Sequence, residues 1–379
     1  MLSHNYSILE TLRRGPLQVS IIGSGNWGTV IGKIAALNAK ESYIFENVVR
    51  IWVHEEIVEG RKLSEWINVE HENSKYLPGY RLPDNLVAVP DLEDIATSTD
   101  LFIFVVPHQF VEKVCEILSS YAIRRTAKAV SLIKGFLIDN WKPLPFHQYI
   151  QNVLKIECSA ISGANVAKDI ADEQFSETTL GYSDQESAVV WQQLLDTKYF
   201  KVNPIPDKCG VQICGAVKNV IALAAGFCDA LNCGSNTKAT IIRIGFEEMK
   251  NFANLFFDGI LEETFFDSAG LADTITTCYG GRNVKCAKEF ALAEGNKTWE
   301  EIEVEMLNGQ KLQGPSTCCD LFSVITHHKL EQSFPLFTII YCISYQHVPP
   351  HAMLTLFQRS ETRPIRLKKD CHLCISSNP

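Results

Sequence analysis

The sequence predicts an α/β chain, with a first half built on a doubly wound, parallel-sheet core and a second half that is all helix. Three observations carry this expectation. Short apolar runs alternate with helical patterns over the first two hundred residues, a glycine-rich turn follows the first run, and strand signals fade after Asn203-Pro204-Ile205-Pro206. Runs that are apolar throughout, rather than alternating with polar residues, mark strands covered on both faces.

Taken in order, Gln18–Ile22 (QVSII) is the first strand, ended by Gly23, and a helical pattern runs from Asn26 to about Asn38. Val48–Val53 (VVRIWV) and Leu86–Val89 are the next strands, and Leu101–Val106 (LFIFVV) is the clearest, stopped by Pro107. Phe110, Val111, Val114, Ile117 and Leu118 then form a helical stripe. Ala129–Ile133, Ser159–Ser162 and Phe200–Val202 continue the alternation. Two prolines in four residues disfavour a helix or a central strand, so the domain boundary is set there. The expected division is 1–205 for the sheet domain, 206–350 for the helical domain, and 351–379 for a basic, mobile tail.

At 379 residues the chain accommodates two or three domains, taking about 150 residues for each. With 46% hydrophobic and 21% charged residues it is neither disordered nor fibrous. A net charge of −9 argues against nucleic acid or an anionic membrane surface as the main partner, and an anionic substrate would need a locally basic pocket. The 13 cysteines lie mostly in apolar stretches, which points to a reducing compartment. Met1–Pro16 lacks the apolar core of a signal peptide. Val211–Leu231 is interrupted by Lys218, Asn219 and Asp229, and Phe334–Ile343 is short, so neither is expected to span a membrane.

Gly23-Ser24-Gly25-Asn26-Trp27-Gly28 is a G-x-G-x-x-G between the first strand and its helix. In that setting Gly23 makes the tight turn, Gly25 admits a pyrophosphate to the backbone, and Gly28 lets helix and strand pack closely. The helix N-terminus adds free N–H groups and a positive dipole end. Glu55 or Glu56 can accept the ribose 2′-hydroxyl, although they lie further from Gly28 than the usual spacing of about 20 residues and the other reading is that both are solvated; no Arg follows at once to take a 2′-phosphate, which favours NAD over NADP.

Lys218 sits in the apolar run Gly210–Phe227, with Cys214, Gly215, Ile221 and Ala222 as its helical neighbours. A buried lysine loses charge readily and suits proton transfer near neutrality; a lysine snorkelling to the surface is the other reading. Gly280-Gly281-Arg282-Asn283 before a helix fits an anion cradle, with Asn283 as cap and ligand contact, or an ordinary loop-to-helix junction. Asp273 can orient a base or cap a helix. Lys134 ends a strand, on the side where doubly wound sheets bind ligands.

Together GSGNWG (23–28), HENSKYLPG (71–79), FVVPHQF (104–110), SLIKG (131–135), GANVA (163–167), ICGAVKNV (213–220), ITTCYGGRN (275–283) and LNGQKLQGP (307–315) resemble the eukaryotic cytosolic NAD-dependent glycerol-3-phosphate dehydrogenases, colinearly over about residues 17 to 348. The resemblance implies reversible reduction of dihydroxyacetone phosphate by NADH, a Rossmann domain followed by a helical substrate domain, a cytoplasmic location and a homodimer. It makes Lys218 the proton donor and acceptor, assisted by Lys134 and Asp273. Lys134, Asn219, Arg282 and Asn283 would bind substrate. Gly23, Ser24, Gly25, Asn26, Trp27, Gly28, His54, Phe110, Ala167, Arg282, Lys311 and Gln313 would surround the NAD, and no metal is implied. His54 stands where the family commonly has Phe, Phe136–Trp141 replaces a more polar stretch, and the chain after Val348 is not expected to match. A sibling hydroxyacid dehydrogenase and a non-catalytic NAD(H)-binding sensor are the rival readings. Cys371-His372-Leu373-Cys374 and the sequons at Asn5 and Asn296 are taken as incidental.

Overall fold

A computed structural model describes residues 15–307 and 309–358; the basic stretch from 359, the cysteines at 371 and 374 and the sequon at Asn5 lie outside the described residues. Apart from two small hairpins between residues 57 and 81, the strands are β1 (Val19–Ile22), β2 (Val49–Trp52), β3 (Leu86–Val89), β4 (Leu101–Phe104), β5 (Lys128–Ser131), β6 (Phe136–Asp139), β7 (Lys142–Pro145), β8 (Glu157–Ser162), β9 (Ser176–Gly181) and β10 (Phe200–Ile205). Eight of them make one sheet in the order β10-β9-β8-β5-β4-β1-β2-β3, and β6 pairs with β7 as a separate hairpin. Every residue of β1 and β4 is buried, as their unbroken apolar runs require.

Helices α1 (Asn26–Glu41), α2 (Leu92–Ser98), α3 (Val111–Ser119), α4 (Phe146–Leu154) and α5 (Gln185–Leu195) cover the sheet. One layer packs Ile31, Ile34 and Ala35 of α1 with Trp191 and Leu194 of α5, and the other packs Val114 and Leu118 of α3 with Ile150 of α4. β1 lies between β2 and β4, so the strand order reverses beside it, at the place where open α/β sheets bind ligands.

The sheet departs from the sequence reading in three places, the first being β9 itself, a strand that reading lacks. β8 and β9 run antiparallel, which no local pattern announces. The strand expected to stop at Val202 continues through Pro204, which pairs with Leu180, because β10 is an edge strand and a proline there breaks no ladder bond on its outer side.

Asp207 then caps α6 (Lys208–Ala230), accepting from Gly210 N at 2.7 Å, while its other oxygen accepts from Thr264 Oγ1 at 2.7 Å and Leu261 N at 3.0 Å. By length and composition alone α6 is apolar enough to cross a membrane, but here it is the buried axis of the helical half. Around it stand α7 (Ser235–Phe256), α8 (Asp273–Gly280), α9 (Arg282–Leu292), α10 (Trp299–Leu307), α11 (Gln313–His327) and α12 (Pro335–Tyr345). Pro350–Gln358 adds a last helical segment that buries Met353.

Glu248 of α7 is fully buried and caps α12 from across the core, accepting from Leu336 N at 2.8 Å and Phe337 N at 2.9 Å. Glu248→Ala strands both donors and opens a cavity, so urea unfolding should show a loss of about 2–3 kcal/mol.

Candidate active site

Lys218 is held in the middle of α6 with 6% of its surface exposed. Its own helix offers it no counter-charge, and the structure supplies one from α8: Nζ is ion-paired to Asp273 Oδ1 and hydrogen-bonded to Thr277 Oγ1. Asp273 and Thr277 stand four residues apart, hence on one face of α8. The second carboxylate oxygen, Asp273 Oδ2, accepts from Lys134 Nζ at 2.7 Å. Lys134 comes from the loop after β5, so this carboxylate joins two ammonium groups from opposite halves of the molecule. Gly215, one turn before Lys218 on α6, permits the approach, since a Cβ there would stand 2.3 Å from Ser162 Oγ at the end of β8.

Burial pushes the Lys218 ammonium down to about 7, and the Lys134 charge pushes the same way, against the pull of Asp273. The amine is thereby poised to gain or lose a proton near neutrality.

A polar band continues from this centre. Asn219 Oδ1 accepts from Asn283 Nδ2 at 3.0 Å, and Asn283 Oδ1 accepts from Gly314 N at 3.0 Å, tying α6, α9 and α11 together. Asn283 is therefore not a helix cap: Gly281 occupies that position and the Asn283 side chain turns inward. Gln313 touches Asn219 through Oε1 at 3.4 Å and donates from Nε2 to Lys134 O at 3.4 Å. Arg282, at the start of α9, is exposed and donates to Gln310 Oε1 at 2.9 Å, and Lys311 pairs with Glu303 at 2.7 Å.

The glycine-rich loop lies apart from the lysines, outside the ends of β1 and β4. Gly23 has φ +120° and a Cβ there would be 3.0 Å from Val106 N, whereas Gly25 faces open space. The first turn of α1 has no side-chain cap, which leaves its N–H groups available to an anion. These features fit the pyrophosphate of NAD. The loop is braced from behind by buried Asn73, whose Nδ2 donates to Ser24 O at 2.9 Å and Thr29 Oγ1 at 2.8 Å.

Asn26, His54 and Phe110 are exposed around this loop, Trp27 packs edge-on against Phe200 at 5.9 Å, and Ala167 opens a short helix after β8. The two glutamates considered for the ribose have other work. Glu55 accepts from Ser64 Oγ at 2.5 Å and Ser64 N at 3.2 Å, and Glu56 accepts from Tyr76 OH at 2.7 Å and from Lys75. Among the described residues no three His, Cys, Asp or Glu side chains gather as a metal site.

Sequence reasoning passed over Thr277 and Asn73. Thr277 had a usable signal in its four-residue spacing from Asp273. Asn73 had none, because its partners lie over forty positions away.

Comparison with known proteins follows the same outline. The family models for the N-terminus and the C-terminus of NAD-dependent glycerol-3-phosphate dehydrogenase match residues 18–188 and 207–355, the second continuing past Val348, where the likeness was expected to end. The chain is 46% identical over 345 residues to a glycerol-3-phosphate dehydrogenase 1-like protein of Xenopus tropicalis, covering 91% of this chain and 97% of the relative. It is 47% identical over 336 residues to the cytoplasmic glycerol-3-phosphate dehydrogenase [NAD(+)] of Rattus norvegicus, covering 88% and 95%. The solved glycerol-3-phosphate dehydrogenase of Plasmodium falciparum superposes with a TM-score of 0.90 at 44% identity, covering 94% of this chain and 99% of that one.

Proposed function

The chain belongs to the NAD-dependent glycerol-3-phosphate dehydrogenase family, and from that membership we propose which of its residues carry the reaction. The protein is an NAD-dependent oxidoreductase that interconverts sn-glycerol 3-phosphate and dihydroxyacetone phosphate. The nicotinamide supplies the hydride chemistry, and the protein supplies orientation, proton transfer and charge neutralisation.

The observation that supports Lys218 as the proton carrier is its buried contact with Asp273, itself shared with Lys134. In reduction the Lys218 ammonium donates a hydrogen bond to the C2 oxygen of the ketone and delivers the proton as the alcohol forms. In oxidation the neutral amine takes the C2 hydroxyl proton. Asp273 orients Nζ and stabilises the ammonium form. Lys134 opposes that form and adds positive charge beside the substrate. Reduction of dihydroxyacetone phosphate should therefore slow as pH rises through about 7, and oxidation of glycerol 3-phosphate should quicken over the same interval. Steady-state rates in both directions from pH 5.5 to 9, on the order of that window, check the sign.

Arg282, Asn283 and the backbone at the start of α9 hold the phosphate. Asn219 completes the substrate contacts, while Arg282, Lys311, Gln313, His54, Phe110 and Ala167 line the NAD around the loop 23–28. Against a chain charge of −9, two lysines sharing one carboxylate, with exposed Arg282 at the start of α9, give the anion its local attraction. Wild-type enzyme should prefer dihydroxyacetone phosphate to unphosphorylated dihydroxyacetone, and Arg282→Ala should erode that preference about 10²-fold through KM, with kcat changed far less. An unchanged preference in Arg282→Ala would remove the phosphate role from this residue.

The sheet domain is read as 1–205 and the helical domain as 206–350, which Asp207 at the head of α6 supports. A cytoplasmic location and a homodimer complete the reading. Relatives named cytoplasmic support the first, and light scattering at twice the 42.5 kDa chain mass tests the second.

A further inference from the structure

The loop bearing Lys134 runs through Gly135 directly into the hairpin β6–β7, whose turn is Asn140–Trp141. Both turn residues are left-handed, with φ 48° and 61°. Two-residue turns of this kind favour Asn followed by Gly, because the second position is free to a residue without Cβ. A tryptophan there sits in a backbone region that bulky side chains avoid, so contacts outside the turn must hold it.

The structure supplies those contacts at the end of α11. The Trp141 indole lies flat on the His327 ring, with centroids 4.6 Å apart and planes within 3°. The Trp141 carbonyl accepts from His328 Nε2 at 3.1 Å. The His328 ring in turn leans on Phe256 at the end of α7, centroids 5.4 Å apart, and Phe136 at the base of β6 stacks near Phe252 of the same helix at 6.2 Å. At its other end α11 begins with Gln313, which donates to Lys134 O. Hairpin and helix are thus joined twice, at the lysine loop and at the hairpin tip. Trp141 is 51% exposed, so it fills no core position whose loss would open a cavity.

We propose that Trp141 is a positioning residue, whose stack on His327 latches the hairpin 136–145 to the end of α11 and so fixes Lys134, at the hairpin's root, in the cleft between sheet and helices. The role rests on the reading of Lys134 as a substrate contact. It falls to no other part of the turn, since Asn140 alone would be satisfied by a following glycine.

The test uses the full-length enzyme. Trp141→Gly converts the turn to Asn-Gly, which keeps the hairpin while removing the latch. The expected result is a KM for dihydroxyacetone phosphate raised about two- to tenfold, the range one aromatic stack is worth, with KM for NADH and thermal midpoint unchanged. Trp141→Phe should restore the substrate KM, and His327→Ala should reproduce the rise. The Trp141→Gly/His327→Ala double variant should be no worse than either single. Lys134→Ala, measured alongside, should raise the same KM at least as far. A normal KM in Trp141→Gly beside a raised one in Lys134→Ala overturns the latch and leaves the Lys134 reading standing, as would additive effects of the two latch substitutions. A normal KM in Lys134→Ala overturns that reading and the latch with it.

Discussion

Lys218→Met is expected to lower kcat for dihydroxyacetone phosphate reduction by about 10²–10⁴, the usual worth of a positioned proton carrier. Methionine keeps the unbranched stem that packs among the apolar neighbours on α6 and removes only the ammonium. NADH affinity should stay close to wild type, because the glycine-rich loop lies at the ends of β1 and β4 and shares no hydrogen bond with this lysine. The variant should also remain folded. Removing a charge from a buried position relieves desolvation, which offsets the cost of leaving Asp273 with Lys134 alone. Stopped-flow turnover and NADH fluorescence titration separate the two quantities, and turnover near normal would end the proton-transfer assignment.

Asp273→Asn is the second large effect, and it acts on stability and on pH dependence together. The carboxylate is 3% exposed and is the shared counter-ion of Lys218 and Lys134. Breaking a buried pair of this kind costs about 3 kcal/mol near neutral pH, toward the low end of the usual range because Lys134 reaches solvent. The penalty should shrink as pH rises toward about 7 and level off above it. Without Asp273 the folded-state pKa of Lys218 falls further below its ordinary value. Between that lower pKa and about 7 the unfolded chain of the variant alone holds the extra proton, so only the variant gains stability with pH; above about 7 both proteins gain equally. Asp273 is also the group that pulls the Lys218 pKa upward. Without it the fall in reduction rate should occur at lower pH than in wild type. Chemical denaturation at several pH values and the pH–rate profile read the two effects separately. An Asp273→Asn enzyme with wild-type stability and an unmoved profile would mean that the carboxylate does not govern the lysine pair.

Much of this was legible in the sequence because it is written locally. The buried runs VSII and LFIF announce a covered parallel sheet, and the turn from Gly23 to Gly28 announces a dinucleotide site because strand, glycines and helix are consecutive. What escaped depends on distant partners. Lys218 in isolation fits a snorkelling side chain as well as a buried base, and only Asp273, 55 positions away, decides between them. Asn283 looked like a cap because its neighbours are glycines, yet Gly281 caps and Asn283 faces Asn219. Pro204 looked like a strand terminator, which holds for central strands and fails at an edge. The antiparallel β8–β9 pair and the hydrogen bonds that occupy Glu55 and Glu56 were likewise set by tertiary packing.

The measurement that tests the central claim most directly follows absorbance of the reduced cofactor with purified protein and dihydroxyacetone phosphate, NADH in one cuvette and NADPH in another. The account predicts rapid oxidation of NADH, slow or no oxidation of NADPH, and stoichiometric appearance of sn-glycerol 3-phosphate. Binding of NADH without turnover would contradict it and would restore the reading of a non-catalytic NAD(H)-binding protein.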